Sequence, residues 1–192
     1  MPRLNVGELL PDLTVDTVQK RHMKLSEIVG GKRTIFMVLR YIGCTVCRYD
    51  VHLLAQRYGE FQALGAQVVV VMQSPIATVE KDLVENIPPF YLICDPEQVI
   101  YKTLTISPAV SMEELIGDSL SSLQEKGVQA SAAGFAHGDY EGIEEQLPAF
   151  FLVNGEMIAE EVHYAKHIMD MPSVDEMLEK ITAYVRKPFF EK

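Results

Sequence analysis

"TIFMVLRYIGCTVCRYDVHLLAQRYGEFQALG", residues 34–65, is the stretch on which the fold turns. It opens with "TIFMVL" (34–39), an apolar, partly β-branched run without polar alternation, as expected of a strand buried on both faces. Its second half has a different period. Val51, Leu54, Ala55, Tyr58, Phe61 and Leu64 recur at steps of three and four, which predicts an amphipathic helix ending at Gly65. At the join sit Cys44 and Cys47, flanked by Arg40 and Arg48.

A Cys-x-x-Cys pair can hold a metal, cross-link a loop, or cycle between dithiol and disulfide. At a strand-to-helix join, positions i and i+3 share a face, so the two sulfurs can approach without a large backbone movement. The first helical turn offers free N–H groups and the positive end of the helix dipole. Both favour thiolate, and comparable pairs ionise at about pH 7 or below, against about 8.5 for a free thiol. Arg40 and Arg48 add to this if they face the sulfurs, and otherwise solvate the surface. Zinc needs four ligands, and the chain has no second Cys-x-x-Cys; His163 and His167 lie far along the sequence. Cys94 ends the apolar run "FYLIC" (90–94) and reads as a small core hydrophobe, with a resolving role secondary.

The wider sequence sets bounds. Apolar residues make up 48% of 192, enough for a buried core, and the apolar runs are strand-length. A net charge of −10 argues against nucleic acid or an anionic membrane as partner. "MPRLNVGELLPDL" lacks a basic-then-apolar leader, and three cysteines are too few for a disulfide scaffold. A cytoplasmic setting is therefore expected. No phosphate loop, aromatic box or metal cluster points to a cofactor.

Further along, "LTVDTV" (13–18) and "HMKLS" (22–26) read as a weak strand pair, and "QVVVVM" (67–72) as a buried strand. Ser74-Pro75 looks like an N-cap followed by a first-turn proline, opening a helix to about Asn86. "FYLIC" is a third strand and "DPEQVIYKTL" (95–104) a turn into a short helix. In 106–146, "SMEELIGDSLSSLQEKG" has helical character and "ASAAGFAHGDYEG" the small, glycine-dotted look of a loop. Eight acidic residues between Glu113 and Glu145 face Lys126 alone, which reads as a solvated face. "LPAFFLVNGEMIAEEVHY" (147–164) predicts strand, tight Asn-Gly turn and strand, with Pro148 opening the first; if cis, Pro148 would bend the chain sharply. Ser173 and Glu176 form a capping box for a last helix. The order predicts an α/β fold with a central mixed β-sheet and helices on both faces. One domain spanning 1–192 is expected, with an acidic insertion at about 106–146 before the C-terminal hairpin.

The strand–Cys-x-x-Cys–helix, the proline before a late strand, "NGE" and the final helix together resemble the thioredoxin fold. "DPEQVIYKTL" and "MKLSEIVGGKRTIFMVL" resemble segments of peroxiredoxins, the AhpC/TSA redoxins. "RYIGCTVCR" (40–48) resembles the Cys-x-x-Cys peroxiredoxin-like group that includes prostamide/prostaglandin F synthase. The resemblance implies that Pro148 packs in cis beside the cysteine pair. It also exposes departures. In peroxiredoxin register, Arg40 and Cys44 stand where the Pro and Thr of a peroxidatic site belong, and no Lys or Arg occurs between Lys126 and Lys166.

These features imply a thiol–disulfide oxidoreductase in which a more exposed Cys44 attacks and Cys47 resolves, with Pro148, Arg40 and Arg48 completing the site. Its substrate would be a disulfide or peroxide, and its reductant thioredoxin or a small thiol. The alternative is an antioxidant thiol peroxidase acting on hydroperoxides or endoperoxides, with Cys47 attacking. A third reading is a non-catalytic interaction module. The terminal "KPFFEK" carries two aromatics that would pack on their own domain or on a second copy, which leaves a homodimer open.

Overall fold

The structure is a computed structural model that describes residues 3–83 and 87–186. Seven strands form one sheet in the order β2-β1-β5-β4-β3-β6-β7. The centre is β3 (Arg33–Val38), β4 (Ala66–Met72) and β5 (Tyr91–Cys94), all parallel. β6 (Ala149–Val153) runs antiparallel to β3, and β7 (Ala159–Tyr164) antiparallel to β6. On the other edge β1 (Thr14–Thr17) is antiparallel to both β5 and the short β2 (Met23–Lys24). This is the mixed sheet expected from the sequence.

The continuous apolar runs are explained by two cores. Alternate residues of a strand point to opposite faces. Ile35, Met37, Val68, Val70, Leu92 and Phe150 pack on one side with α2 (Thr45–Gln56), α3 (Tyr58–Ala63), α4 (Ile76–Asp82) and α8 (Val174–Arg186). Phe36, Val38, Val69, Val71, Ile93 and Phe151 pack on the other with α1 (Leu25–Val29) and α5 (Val99–Thr103). The remaining helices, α6 (Met112–Ile116) and α7 (Leu120–Ala132), belong to the 106–146 segment.

Four local expectations change. The helix predicted through Gly65 breaks at Arg57, which leaves helical geometry and pairs with Glu60 and Asp175. Apolar spacing is unbroken across the kink, since Tyr58 and Phe61 are buried, so periodicity could not reveal it. The next helix ends at Asp82, and its N-cap is Pro75 rather than Ser74, because the Ser74 hydroxyl is engaged elsewhere. Helix α7 runs on to Ala132, through "ASA". The β6–β7 turn is wider than a two-residue hairpin: Asn154 Oδ1 accepts from the amides of Glu156 and Ile158, at 2.9 and 3.0 Å, and carries the turn to Ile158. The capping box does form, with Ser173 and Glu176 bonded reciprocally. "KPFFEK" lies outside the described residues.

Candidate active site

Strand β3 delivers Leu39 and Arg40 to the edge of the core, and a turn over Tyr41–Gly43 brings Cys44 to the N-cap of α2. Cys47 lies in the first turn of that helix, so the predicted approach of the two side chains is realised. All three cysteines are free thiols. Both members of the pair are enclosed, with Cys44 2% and Cys47 4% exposed, so the expectation of a more exposed Cys44 is corrected.

The two thiols differ in chemistry. The Cys44 pKa is lowered to about 7, chiefly by the Cys47 thiol donating toward it; the Arg40 charge acts in the same direction while burial opposes. Cys47 is raised well above the usual thiol range, first by burial and then by its neighbour Cys44. The negative charge therefore settles on Cys44.

Arg40 is the cation that faces this charge. It is only 7% exposed, and its Nη1 donates to Cys44 Sγ at 3.7 Å. Its Nε has no hydrogen-bond partner, and no carboxylate among the described residues pairs with it. A buried guanidinium without an anion is costly, and the Cys44 thiolate supplies one. Arg48 behaves otherwise. It pairs with Asp82 at 2.9 Å and donates to the Ala136 carbonyl at 3.3 Å, away from the sulfurs.

The end of the 106–146 segment lies against the turn that carries Cys44. The Gly138 amide donates to the Gly43 carbonyl at 2.8 Å, immediately before Cys44. A Cβ on Gly43 would overlap the Asp139 carbonyl, so only glycine permits this approach. Tyr41, fully buried, meets His137 Nε2 through its hydroxyl at 3.3 Å. Just past β4, Gln73 exchanges two hydrogen bonds with the Ile143 backbone, at 2.6 and 3.0 Å. Ser74 Oγ accepts from the Ile42 amide at 2.8 Å and donates to Glu141. Helix α7 is tied to α2 by Lys126–Asp50, at 2.5 Å.

Pro148 is buried and precedes β6, whose Ala149 pairs with Val38, so the proline stands at the cysteine end of the sheet. None of the described peptide bonds is cis, so the Leu147–Pro148 bond is trans, against the expectation from the resemblance. Cys94 lies at the end of β5, and burial pushes its thiol up to about 12. A cavity of about 600 Å³ along α2 is lined by Ile42, Arg48, Val51, His52 and Phe135, among others, and by neither cysteine.

With this geometry in view, comparison with known proteins places the chain in a family. The sequence matches the AhpC/TSA family over residues 6–160, and the protein belongs to it. Among solved structures it is similar to a cysteine-to-serine mutant of the peroxiredoxin 6 of Arenicola marina, with a TM-score of 0.70 at 13% identity, covering 94% of this chain and 73% of that one. It is also similar to a protein assigned as the thiol:disulfide interchange protein DsbE of Chlorobium tepidum, with a TM-score of 0.61 at 17% identity, covering 95% and 98%. The 2-Cys peroxiredoxin of Plasmodium vivax gives a TM-score of 0.65 at 16% identity, covering 93% and 81%. The fold is thioredoxin-like. No curated protein matches the chain in sequence. Among the described residues, no helix is long and apolar enough to cross a membrane.

Sequence reasoning singled out the cysteines and both arginines, of which Arg40 faces Cys44 and Arg48 faces Asp82, and it passed over Gln73, Ser74, Tyr41, Gly43 and the residues around Gly138. The glycines of "GFAHGDYEG" were the available signal, since a small-residue loop can lie close against another backbone.

Proposed function

We propose that this chain is a thiol–disulfide oxidoreductase whose redox couple is Cys44–Cys47. The observation that carries the reading is the unequal pair: a thiolate at Cys44, held by the Cys47 thiol and Arg40, beside a Cys47 that keeps its proton. The Cys44 thiolate attacks one sulfur of a disulfide, forms a mixed disulfide and expels the other sulfur as a thiolate. Cys47 then gives up its proton and attacks Cys44 Sγ, releasing the second thiol and closing Cys44–Cys47. In sum one disulfide becomes two thiols, and the dithiol loses two electrons and two protons. A small thiol or thioredoxin restores it, leaving as the disulfide. Arg40 holds the attacking charge, Arg48 secures the 106–146 segment at Ala136, and Pro148 shapes the same end of the sheet.

A cytoplasmic setting, where such a pair would be returned to the dithiol after each turnover, is part of the proposal. The narrower affiliation with the Cys-x-x-Cys group rests on "RYIGCTVCR", and a homodimer is part of the proposal only by analogy with relatives. The test is trapping. Cys47→Ser should accumulate a mixed disulfide on Cys44 with a disulfide substrate, and Cys44→Ser none; the reverse pattern would transfer the attack to Cys47.

Burial favours a second reading, thiol-dependent peroxide reduction, since a hydroperoxide is small enough for an enclosed thiol. Cys44 would take one oxygen, becoming sulfenic acid as the other leaves protonated, and Cys47 would condense with it to a disulfide and water. The low Cys44 and high Cys47 pKa values support attack by Cys44, not by Cys47 as peroxiredoxin register implies. Stopped-flow mixing with hydrogen peroxide and an alkyl hydroperoxide decides it; negligible rates with both remove this reading.

A further inference from the structure

The segment that lies on the turn before Cys44 is built like a strap. Residues 134–142 run between two glycines at positive φ, Gly134 at +90° and Gly142 at +63°. Between these hinges residues 136–140 are all exposed. At the midpoint the strap is fastened to the Cys44 turn by the Gly138–Gly43 bond and by Tyr41 with His137. At one end Arg48 holds Ala136; at the other, Glu141 is held by Ser74, which also bonds Ile42. Ile143, just beyond, is fixed twice by the buried Gln73. Phe135, half-buried against Tyr49 and His52, anchors one end and the Ser74–Glu141 bond the other, whereas residues 136–140 between them are exposed. Such a segment opens at a cost well below that of global unfolding.

We infer that residues 134–142 are a hinged strap that sets the size of oxidant the dithiol accepts. Closed, it admits only oxidants as small as a hydroperoxide to Cys44; disulfides react through the open form, protein disulfides least readily. The inference rests on the reading of Cys44 as the attacking thiol. Glu141 and the Gly138 contact determine how often the strap opens.

The test uses the reduced full chain and two reagents with one warhead, N-ethylmaleimide and a maleimide on a long polyethylene glycol chain, with labelling mapped to Cys44. The ratio of the two rates is normalised to that of the urea-unfolded chain. The bulky reagent should be slowed by roughly tenfold or more relative to the small one, because it reports only the open population. In Glu141→Ala and in Gly138→Ala, whose Cβ would press on Gly43, the ratio should return most of the way to the unfolded value. Labelling confined to the strap variants would support the same gate in a tighter form. Equal normalised rates in the unaltered chain, or a ratio that neither variant moves, would overturn the inference. Amide exchange needs no variant: the Gly138 N–H should exchange far faster than the β4 amides, and exchange only by global unfolding would also overturn it. Failure of the redox reading looks different. In that case Cys44 labels with the expected size dependence, yet oxidised glutathione never yields a Cys44–Cys47 disulfide.

Discussion

Replacing Arg40 by methionine removes the buried charge beside Cys44 while keeping a linear side chain of similar reach. With Nη1 and Sγ 3.7 Å apart, the gross attraction at an effective dielectric of 20 is about 4.5 kcal/mol. Only part of this reaches the thiol, because the guanidinium charge is delocalised and its burial is itself costly. The Cys47 thiol, the largest stabiliser of the Cys44 anion, also remains in place. A rise in the Cys44 pKa from about 7 to between about 8 and 9 is therefore expected, equivalent to roughly 1.4–2.7 kcal/mol. At pH 7 the thiolate fraction would fall from about one half to between about 1% and 9%, slowing iodoacetamide alkylation of Cys44 by roughly 5- to 50-fold. The assay is the alkylation rate of the reduced protein from pH 5 to 10, followed by mass spectrometry. Cys94, with its thiol near 12, stays silent over most of this range. The limiting rate at high pH should change little, and Tm at pH 6 should not fall, since Arg40 there faces a largely neutral thiol. An apparent pKa that stays near 7 in Arg40→Met would refute the electrostatic role.

The lowered Cys44 pKa also links stability to pH. The unfolded chain binds the thiol proton up to about 9 while the folded one releases it around 7, so relative to Cys44→Ser the reduced protein should gain roughly 2 kcal/mol between pH 7 and 9, and lose the remainder on acidification through 7; parallel Tm curves would contradict this. Phe61→Ala, at a fully buried site, should lower the unfolding free energy by about 3–5 kcal/mol in urea titration while leaving Cys44 alkylation unchanged. Ser173→Ala breaks the capping box of α8 and should cost about 1 kcal/mol, or roughly 2–4 °C in Tm by calorimetry.

The parts of the fold legible in the sequence are those set by repeating hydrophobic pattern. β3, β4, β5 and β6 are apolar on both faces because helices cover both, and runs such as "QVVVVM" say so directly. The capping box of α8 was legible for a different reason, its partners being three residues apart. What the sequence hid depends on contacts across long separations. Ser74 has the form of a helix cap, but its hydroxyl bonds Ile42 and Glu141, 32 and 67 positions away. Arg40 and Arg48 look equivalent around the cysteines, yet one faces Cys44 and the other faces Asp82 and Ala136. The packing of the Cys44 turn was hidden as well, because Gly43 meets residues 95 and 96 positions later, in a loop without periodicity.

The central claim is that Cys44 and Cys47 form a reversible couple, and a redox titration tests it most directly. The reduced protein is equilibrated across dithiothreitol and glutathione buffers, quenched by alkylation, and mapped by mass spectrometry. A single two-electron transition between roughly −180 and −300 mV is predicted, joining Cys44 to Cys47 and leaving Cys94 reduced. A pair that stays reduced in fully oxidising glutathione, or a disulfide that includes Cys94, would contradict it.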